Sequence, residues 1–577
     1  MKKDYRKKIR RRMLVVGFGF SLVLAVVLAK AAQIQIWQGD DLTRKAEKNY
    51  KASRVSMGKR GAVFDAHYRE LAVTLDTQSI GAHPNQMKNK SVAARRLAKA
   101  LGKNRRTLSK QLDTKHPFVW VKRQATPREV TTVEALSLPG VVFKPAHSRF
   151  YPNQTLAGQV IGFTGVDGSG LEGIEFNYDS HLRGRTDRFT VLRDARGYGF
   201  DAELSVLPNY TGQNVILTID ANIQFIAEQA LKATVGEFKA DSGMAVVMDP
   251  KTGAVRAMAH YPLIDPNLYK KYKREHWRNR IVTDAFEPGS TLKIFTAAAA
   301  LESKSSSSQS IFYCENGVYR VGRNLIHDTH PYGWLTLKKI VKFSSNIGAA
   351  KVVKAMGGKA FYQTLERFGF GTKTGIDCPG ETSGRLTSYR RWKSIDAANI
   401  AFGQGLAVSA IQLTAAVAAI ANDGILMRPY LVQAITDQDG RLLKNTTPKR
   451  IRRAVSARTA RTVRGMMAAV VDEGGTGVNA ALERYPVGGK TGTAQKVEPN
   501  GGYSRERFIA SFVGLAPIHR PKVVVLVVID EPRKRHYGGT VAAPAFRRIT
   551  QAALSYLDVS PIEKSIQVSS MIRKAGT

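Results

Sequence analysis

The sequence predicts an α+β protein with a single N-terminal transmembrane helix. Residues 13–29 carry no charge, and residues 60–208 mix short strand-like runs with Gly-rich turns. Beyond residue 210, apolar helical segments alternate with paired strand-like runs, which is typical of an α+β domain built on an antiparallel sheet. At 577 residues the chain is long enough for two or three domains.

The N-terminus predicts a membrane anchor. Residues 1–12 contain eight basic residues and one acid. The uncharged run that follows ends before Lys30, and Trp37 lies a short distance beyond it. A stretch of this size spans a bilayer if Lys30 extends to the interface and Trp37 anchors it there. Because basic flanks stay inside, we expect a cytoplasmic tail at 1–12 and a transmembrane signal anchor at 13–36.

A cleaved signal peptide is the alternative interpretation of this segment. The tripeptide Ala29-Lys30-Ala31 fits a small-residue cleavage site. The apolar core is longer than the usual 7–15 residues of a signal peptide, however, so we favour an uncleaved anchor. Everything after residue 37 is then expected outside the cytoplasm.

The chain is strongly basic and poor in cysteine. It has 88 Lys and Arg against 46 Asp and Glu, a net charge of +42. Such an excess favours anionic partners, and the predicted topology favours lipid head groups or a wall polymer over nucleic acid. Cys314 and Cys378 allow at most one disulfide, and two buried free thiols are the simpler interpretation. No Cys/His cluster has metal-ligand spacing, so we expect neither a metal nor a cofactor.

Several elements can be assigned after residue 210 from apolar periodicity and turn residues. The predicted elements are a strand at 214–220, a helix at 221–238, a hairpin at 243–260, helices at 290–303 and 410–422, and strands at 507–517 and 522–530.

The tripeptide Lys-Thr-Gly occurs three times, beginning at Lys251, Lys373 and Lys490. The first copy follows Asp249-Pro250 between two apolar runs, so we expect it to turn a hairpin. The third copy resembles the end of a phosphate-binding loop. That motif requires a glycine at position 484, and the residue there is Arg484.

A serine–lysine pair is the best candidate for covalent chemistry. No G-x-S-x-G elbow supports a Ser-His-Asp hydrolase. Ser-x-x-Lys occurs at Ser56–Lys59, where glycines argue against a helix, and at Ser290–Lys293, at the start of the helix predicted at 290–303. Residues three apart share a helix face, and the helix N-terminus supplies free N–H groups for an oxyanion.

Ser-x-Asn occurs once in the chain, at Ser344–Asn346. In chain order, Ser290–Lys293, Ser344–Asn346 and Lys490–Gly492 reproduce the three motifs of class A β-lactamases and penicillin-binding proteins, with serine in place of the middle aspartate. The sequence therefore predicts a serine acyl-transfer site built from these three segments.

With these motifs in place, the chain resembles a class B penicillin-binding protein, a peptidoglycan D,D-transpeptidase, over nearly its whole length. It is most similar to the cell-division branch, and the elongation branch is the alternative. The segments that carry the resemblance are "RGAVFD" (60–65), "RFYPNQTLAGQVIGFTG" (149–165), "GLEGIE" (170–175), "EPGSTLK" (287–293), "FSSNIG" (343–348), "FGQGLAVSAIQL" (402–413), "GGKTGTAQK" (488–496), "SFVGLAP" (511–517) and "VVIDEP" with "YGGTVAAPAF" (527–546).

The resemblance implies a domain order and a fold. It implies an elongated, non-catalytic pedestal of the dimerisation type at 37–208 and a penicillin-binding domain at 209–560. It also implies that a sheet flanked by helices, as in serine β-lactamases, forms the catalytic domain, with a tail at 561–577. Arg60 and Arg149 lie in the pedestal motifs, where they would brace domains, contact a partner or act as ordinary structural arginines.

The resemblance also assigns roles to the motif residues. Ser290 would be the nucleophile, Lys293 its base, and Ser344 with Asn346 the proton relay. Lys490, Thr491 and Thr493 would receive the substrate carboxylate, and Gly492 would let a substrate backbone lie close to the strand. The backbone N–H groups of Ser290 and Thr493 would hold the oxyanion.

The implied substrates are stem peptides of lipid II-derived strands, and β-lactams are the implied inhibitors. The implied partners are a membrane glycosyltransferase and other proteins of the division machinery. The implied location is the bacterial inner membrane, with the catalytic domain periplasmic. A β-lactamase, a β-lactam sensor and a bifunctional class A enzyme are the alternatives, and the anchor with about 170 residues before the catalytic part argues against the first.

Overall fold

The computed structural model describes residues 2–184, 186–192, 211–498 and 500–561. These residues divide into two units, the described parts of Met1–Gly58 with Gly184–Thr211, and of Lys59–Arg183 with Gly212–Thr577. Most of the predicted C-terminal tail, and residues 193–208 of the predicted pedestal, lie outside the described residues.

The first unit contains the predicted anchor. Helix α1 covers Lys2–Ala32 and continues as a π-helical turn, Gln33–Trp37. The helical segment Asp4–Trp37 is long and apolar enough to cross a membrane, which confirms an apolar N-terminal helix over the predicted 13–36. The other elements of this unit are α2 (Gly39–Tyr50) and the antiparallel strands β1 (Lys51–Met57) and β6 (Thr186–Leu192).

Residues 59–183 form a mixed α/β region with a core of its own at one end. That core packs the helices Lys90–Leu101, Arg105–Leu112 and Pro127–Glu134 against the strand Val119–Ala125 and one end of the strands Glu70–Ala82 and Val141–Phe150. The elements are β2 (Val63–Phe64), β3 (Glu70–Ala82), α3 (Lys90–Leu101), α4 (Arg105–Leu112), β4 (Val119–Ala125), α5 (Pro127–Glu134), β5 (Val141–Phe150), α6 (Gly158–Ile161), α7 (Gly173–Asn177) and α8 (Asp179–Leu182).

The catalytic part is built from the elements after residue 211. Its helices are α9 (Ala221–Phe238), α10 (Arg280–Thr283), α11 (Lys293–Glu302), α12 (Leu337–Phe343), α13 (Asn346–Met356), α14 (Gly358–Arg367), α15 (Ser394–Ala401), α16 (Ala410–Ala421), α17 (Ala457–Val471), α18 (Gly538–Val541) and α19 (Ala543–Tyr556). Its strands are β7 (Asn214–Leu217), β8 (Ser242–Met248), β9 (Val255–Tyr261), β10 (Ala285–Phe286), β11 (Ile311–Tyr313), β12 (Val318–Val321), β13 (Asn324–His327), β14 (Trp334–Thr336), β15 (Val408–Ser409), β16 (Ile425–Met427), β17 (Val432–Thr436), β18 (Leu442–Asn445), β19 (Arg450–Arg453), β20 (Gly488–Val497), β21 (Tyr503–Ala516) and β22 (Val523–Asp530).

A five-stranded antiparallel sheet, ordered β20-β21-β22-β8-β9, is the centre of this part. The sequence of β22 shows why both faces are covered. Val524, Leu526 and Val528 belong to one apolar core, while Val525 and Val527 belong to another on the opposite face. Helices α9 and α19 pack on one face and α16 on the other, so the predicted α+β fold with an antiparallel sheet is confirmed.

A second sheet joins the region before residue 183 to the catalytic part. Its strand order is β18-β17-β7-β2-β3-β4, and β5 also pairs with β3. The junction is the parallel pair of β2 and β7, where Val63 lies opposite Val215. One continuous sheet therefore crosses the predicted boundary near residue 208, and that boundary stays a prediction.

Arg60 and Arg149 converge on one buried carboxylate. Glu175 is 0% exposed, and its two carboxylate oxygens each accept a hydrogen bond of 2.6 Å, one from Nε of each arginine. Arg60 also contacts Asp179 at 2.6 Å. Because a buried charge needs a paired partner, both arginines stabilise the Glu175 carboxylate within the 59–183 region.

Candidate active site

The Ser290–Lys293 pair lies in a tight turn ahead of a buried helix. A 3₁₀ turn covers Gly289–Leu292, and the α-helix begins at Lys293, three residues later than the sequence predicted. Gly289 at φ +54° and the 2.8 Å bond from Thr291 Oγ1 to the Pro288 carbonyl hold this turn. It places Lys293 Nζ 3.0 Å from Ser290 Oγ.

The Ser-x-Asn segment forms a sharp corner between α12 and α13. Ser344 has φ +64°, and Ser345 caps α13 by accepting a hydrogen bond from the Gly348 N–H. This corner turns the Ser344 and Asn346 side chains toward the same lysine. Lys293 Nζ lies 3.2 Å from Ser344 Oγ and 2.7 Å from Asn346 Oδ1.

The third motif contributes a second buried lysine from the edge strand β20. Lys490 Nζ lies 2.9 Å from Ser344 Oγ and 3.2 Å from Thr491 Oγ1. Thr491 Oγ1 in turn lies 3.1 Å from Thr476 Oγ1. Ser344 follows Lys293 by 51 residues in the chain, and Lys490 follows Asn346 by 144 residues. The three motifs nevertheless meet around the Ser344 hydroxyl.

Thr493 and Gly492 lie where β20 passes the Ser290 turn. The Thr493 hydroxyl oxygen accepts a 3.2 Å hydrogen bond from the Gly538 N–H. The strand is so close to the turn that a Cβ on Gly289 would lie 2.7 Å from the Thr493 carbonyl oxygen. The structure thus brings all eight sequence-predicted site residues into one continuous region.

Gly492 lacks a side chain for a reason that the sequence interpretation did not give. A Cβ at this position would lie 2.3 Å from Ser511 Oγ, 2.9 Å from Thr291 Cγ2 and 3.0 Å from the Pro288 carbonyl oxygen. Other residues of this chain, rather than a substrate backbone, already fill this space. Gly492 lets β20 approach the turn that carries Ser290.

Burial controls the charge of both lysines. Lys293 is 1% exposed, and desolvation lowers the pKa of its ammonium to about 7, opposed by the negative charge of Asp328. Lys490 is 0% exposed, and desolvation lowers its pKa well below the usual range, with repulsion from Lys293 as a further cause.

Two acidic residues near the site were missed by the sequence interpretation. Asp328 accepts a hydrogen bond of 3.1 Å from the Ile347 N–H and lies beside Asn346. Glu287 accepts hydrogen bonds from the Gly405 N–H at 2.9 Å and from the Tyr503 hydroxyl at 3.2 Å. Glu287 lies in the quoted segment "EPGSTLK", which was the signal for it, whereas no motif marks Asp328.

The other copies of the motifs lie elsewhere. The Lys-Thr-Gly at Lys251 forms the predicted turn between β8 and β9, with its N–H donating to Asp249 and Gly253 at φ +82°. The copy at Lys373 lies in a loop, where the Thr374 N–H donates to Glu381 at 2.7 Å. Cys314 and Cys378 are both buried and both free.

The fold is an antiparallel sheet flanked by helices, and its Ser-x-x-Lys, Ser-x-Asn and Lys-Thr-Gly segments meet at Ser344. This combination defines the class of serine enzymes that contains β-lactamases and penicillin-binding proteins. Comparison with known families narrows this class. Residues 243–551 match the penicillin-binding protein transpeptidase domain, and residues 56–217 match the penicillin-binding protein dimerisation domain.

Relatives match over most of the chain. The probable peptidoglycan D,D-transpeptidase PenA of Neisseria meningitidis is 35% identical over 558 residues, which are 95% of this chain and 93% of the relative. The peptidoglycan D,D-transpeptidase FtsI of Escherichia coli is 34% identical over 94% of this chain and 91% of its own. The crystal structure of penicillin-binding protein 3 from Mycobacterium tuberculosis with aztreonam aligns with a TM-score of 0.69 and 28% identity, covering 88% of this chain and 98% of that one.

The chain belongs to the class B penicillin-binding proteins, and it is an enzyme of the peptidoglycan D,D-transpeptidase family.

Proposed function

We propose that Ser290 is the acylated nucleophile of this transpeptidase and that Lys293 is its general base. The observation that carries the proposal is the contact of 3.0 Å between Ser290 Oγ and a lysine amine that is almost fully buried. With a pKa of about 7, Lys293 is partly neutral at physiological pH and has a free lone pair for the serine proton.

The substrate in this proposal is a stem peptide that ends in D-Ala-D-Ala. Ser290 Oγ bonds to the carbonyl carbon of the penultimate residue while its proton passes to Lys293 Nζ. The C–N bond then breaks, and the proton returns to the departing D-Ala amine through Ser344 Oγ, which contacts the amines of both Lys293 and Lys490. Asn346, whose Oδ1 accepts from Lys293, holds that amine in place.

The second half of the reaction forms the cross-link. An amine from a neighbouring stem peptide attacks the ester carbonyl, loses its proton back to the lysine–serine relay, and displaces Ser290 Oγ as a hydroxyl. The products are a new amide bond and the original enzyme. β-Lactams would acylate Ser290 in the first half of the same sequence.

Substrate recognition is assigned to β20. Lys490, Thr491 and Thr493 would receive the terminal carboxylate, and an arriving carboxylate would raise the pKa of Lys490 again and restore its charge. The backbone N–H groups of Ser290 and Thr493 would hold the oxyanion, each donor contributing about 3 kcal/mol. Gly492 contributes by letting this strand lie against the nucleophile turn.

Penicillin labelling tests the nucleophile. Full-length protein in detergent is incubated with a fluorescent penicillin, denatured and separated by electrophoresis. The wild-type protein should carry a covalent label, and Ser290→Ala should carry none because no ester can form. Ser56→Ala, which changes the serine of the other Ser-x-x-Lys pair, is the matched control and should label normally. A labelled Ser290→Ala would overturn the proposal.

We further infer a role in septal wall synthesis from the cytoplasmic membrane. The C-terminal segments 511–517 and 527–546, which resemble the division branch, support this role. The apolar helix α1 supports a single-pass anchor, and the basic residues before it support a cytoplasmic N-terminus with a periplasmic catalytic domain. In this role, a membrane glycosyltransferase and other division proteins are the partners.

A further inference from the structure

A cavity lies between the loop that carries the Lys-Thr-Gly at Lys373 and the paired strands β16 and β19. Its volume is about 120 Å³, and none of the eight predicted site residues lines it. Its floor is apolar and includes Phe368, Ala415 and Leu426, which are 1%, 3% and 6% exposed. An apolar cavity of about this size holds a group as large as benzene, so one aliphatic side chain fits here.

The rim of this cavity is positively charged. Lys373 and Arg452 both line it, and both are exposed. The acid in the same loop, Glu381, is bound by the N–H groups of Thr374 at 2.7 Å and Gly375 at 3.0 Å. The second copy of the motif therefore uses its threonine and glycine to bind Glu381, and its lysine stays at the rim.

Strand β19 extends the positive charge beyond the cavity. The run Lys449–Arg453 reads Lys-Arg-Ile-Arg-Arg, and every residue in it is exposed. Within the part of the chain that the structure describes, neither an ion pair nor a hydrogen bond engages the side chains of Lys373, Lys449, Arg450 or Arg452. An anion bound at this surface is therefore attracted by several cations at once.

Strand β19 also has a free edge. It forms a two-stranded sheet with β16, in which Leu426 lies opposite Arg452 and Met427 lies opposite Arg450. Among the described residues, no third strand pairs with β19 on its other side. An exposed edge strand accepts an extended peptide through backbone hydrogen bonds.

We propose that the cavity and β19 form a docking surface for an acidic, extended segment of a partner protein. The segment lies along β19, its carboxylates contact the exposed cations, and one apolar side chain enters the cavity. A second copy of this chain fits less well, because a net charge of +42 opposes contact between copies at a basic surface. A sugar polymer also fits less well, because the apolar floor offers nothing to a hydroxyl group.

Fluorescence anisotropy tests the docking surface. The probe is a fluorescein-labelled peptide with a single leucine in the middle of a run of glutamates, titrated with full-length protein in detergent. Binding should saturate and should weaken as salt rises. A probe with glycine in place of the leucine should bind about 10-fold more weakly, because the cavity stays unfilled. Arg450→Glu combined with Arg452→Glu should weaken binding of the leucine probe by about 10-fold or more.

Arg105→Glu combined with Arg106→Glu is the matched control. These arginines are also adjacent and exposed, on α4, so the pair changes the net charge equally and should keep the wild-type affinity. Thermal melting shows whether each variant folds, and the two probes on the wild-type protein decide if the β19 variant does not.

Three results would overturn the proposal: equal binding of the two probes, wild-type affinity in the folded β19 variant, or an equal loss in the α4 variant. Soluble peptidoglycan strands are titrated in the same way. If the wild-type protein binds these strands but not the leucine probe, the surface belongs to a wall polymer and the protein partner is wrong.

Discussion

At the scale of single residues, desolvation is the main influence on the site's charges. Lys293 and Lys490 both lie in the interior, where a charged ammonium loses its hydration. The cost lowers both pKa values, and repulsion lowers that of Lys490 further. A buried lysine that is neutral near physiological pH is the kind of group that can activate a serine hydroxyl.

The proposed role of Lys293 predicts the pH dependence of acylation. Only the neutral amine accepts the serine proton, so the rate should rise with pH through a pKa of about 7 and level off above it. The measurement is the acylation rate constant with a fluorescent penicillin, corrected for penicillin hydrolysis without enzyme. A limb near the ordinary lysine pKa of 10.5 would contradict the burial argument.

The sequence could indicate Ser290, Lys293 and Lys490 because each belongs to a short motif with its own spacing. It could not indicate Asp328. This aspartate has no motif around it, and its contact with Asn346 depends on how the hairpin β12–β13 folds back onto α13. Such contacts depend on long-range packing, which local pattern does not record.

At the scale of elements, the edge strand β20 has two packing constraints at once. It pairs with β21 along its length, with Lys490 opposite Val513 and Thr493 opposite Ala510. Its other edge approaches the turn at Gly289, where the side chains must be small. Gly492 satisfies the second constraint, because it sits between Ser511 and Thr291.

Gly492→Ala should therefore damage the site. The added Cβ has no free space beside Thr291 and the Pro288 carbonyl, so β20 or the nucleophile turn must shift, at a cost of about 1–3 kcal/mol in unfolding free energy. Thermal melting should fall, and penicillin acylation should slow. Gly465→Ala is the control, since nothing lies within 4 Å of a Cβ there in α17.

For that control we expect about 0.5–1 kcal/mol of stabilisation, the usual gain from replacing glycine within a helix. The acylation rate of Gly465→Ala should match the wild-type rate. A Gly492→Ala variant with unchanged melting temperature and rate would show that the strand and turn have more room than the structure indicates.

At the scale of the whole molecule, the 59–183 region and the catalytic part share one sheet and lie in one compact unit. The parallel pair of β2 and β7 makes this connection. The Arg60–Glu175–Arg149 cluster stabilises the chain just before β2. The sequence resemblance implied two domains. That division stays a prediction, and the continuous sheet shows that backbone hydrogen bonds link the two parts.

The septal role is a prediction about the whole chain in its own cell. A fluorescent fusion at the N-terminus should collect at the division site, because the proposed anchor and the region before the catalytic part would bind the proposed division partners. Fluorescence microscopy with a membrane dye gives the ratio of septal to side-wall signal. An even side-wall distribution would favour the elongation branch instead.

The sequence by itself determined the apolar N-terminal helix, several elements around the site and the three motifs, because apolar periodicity, turn residues and fixed spacing are local properties. The tertiary structure alone decided that Lys293 and Lys490 are buried, that both of their amines contact Ser344 Oγ, and that Asp328 binds Asn346. These facts join residues up to about 200 positions apart, and burial depends on how the whole chain packs around them.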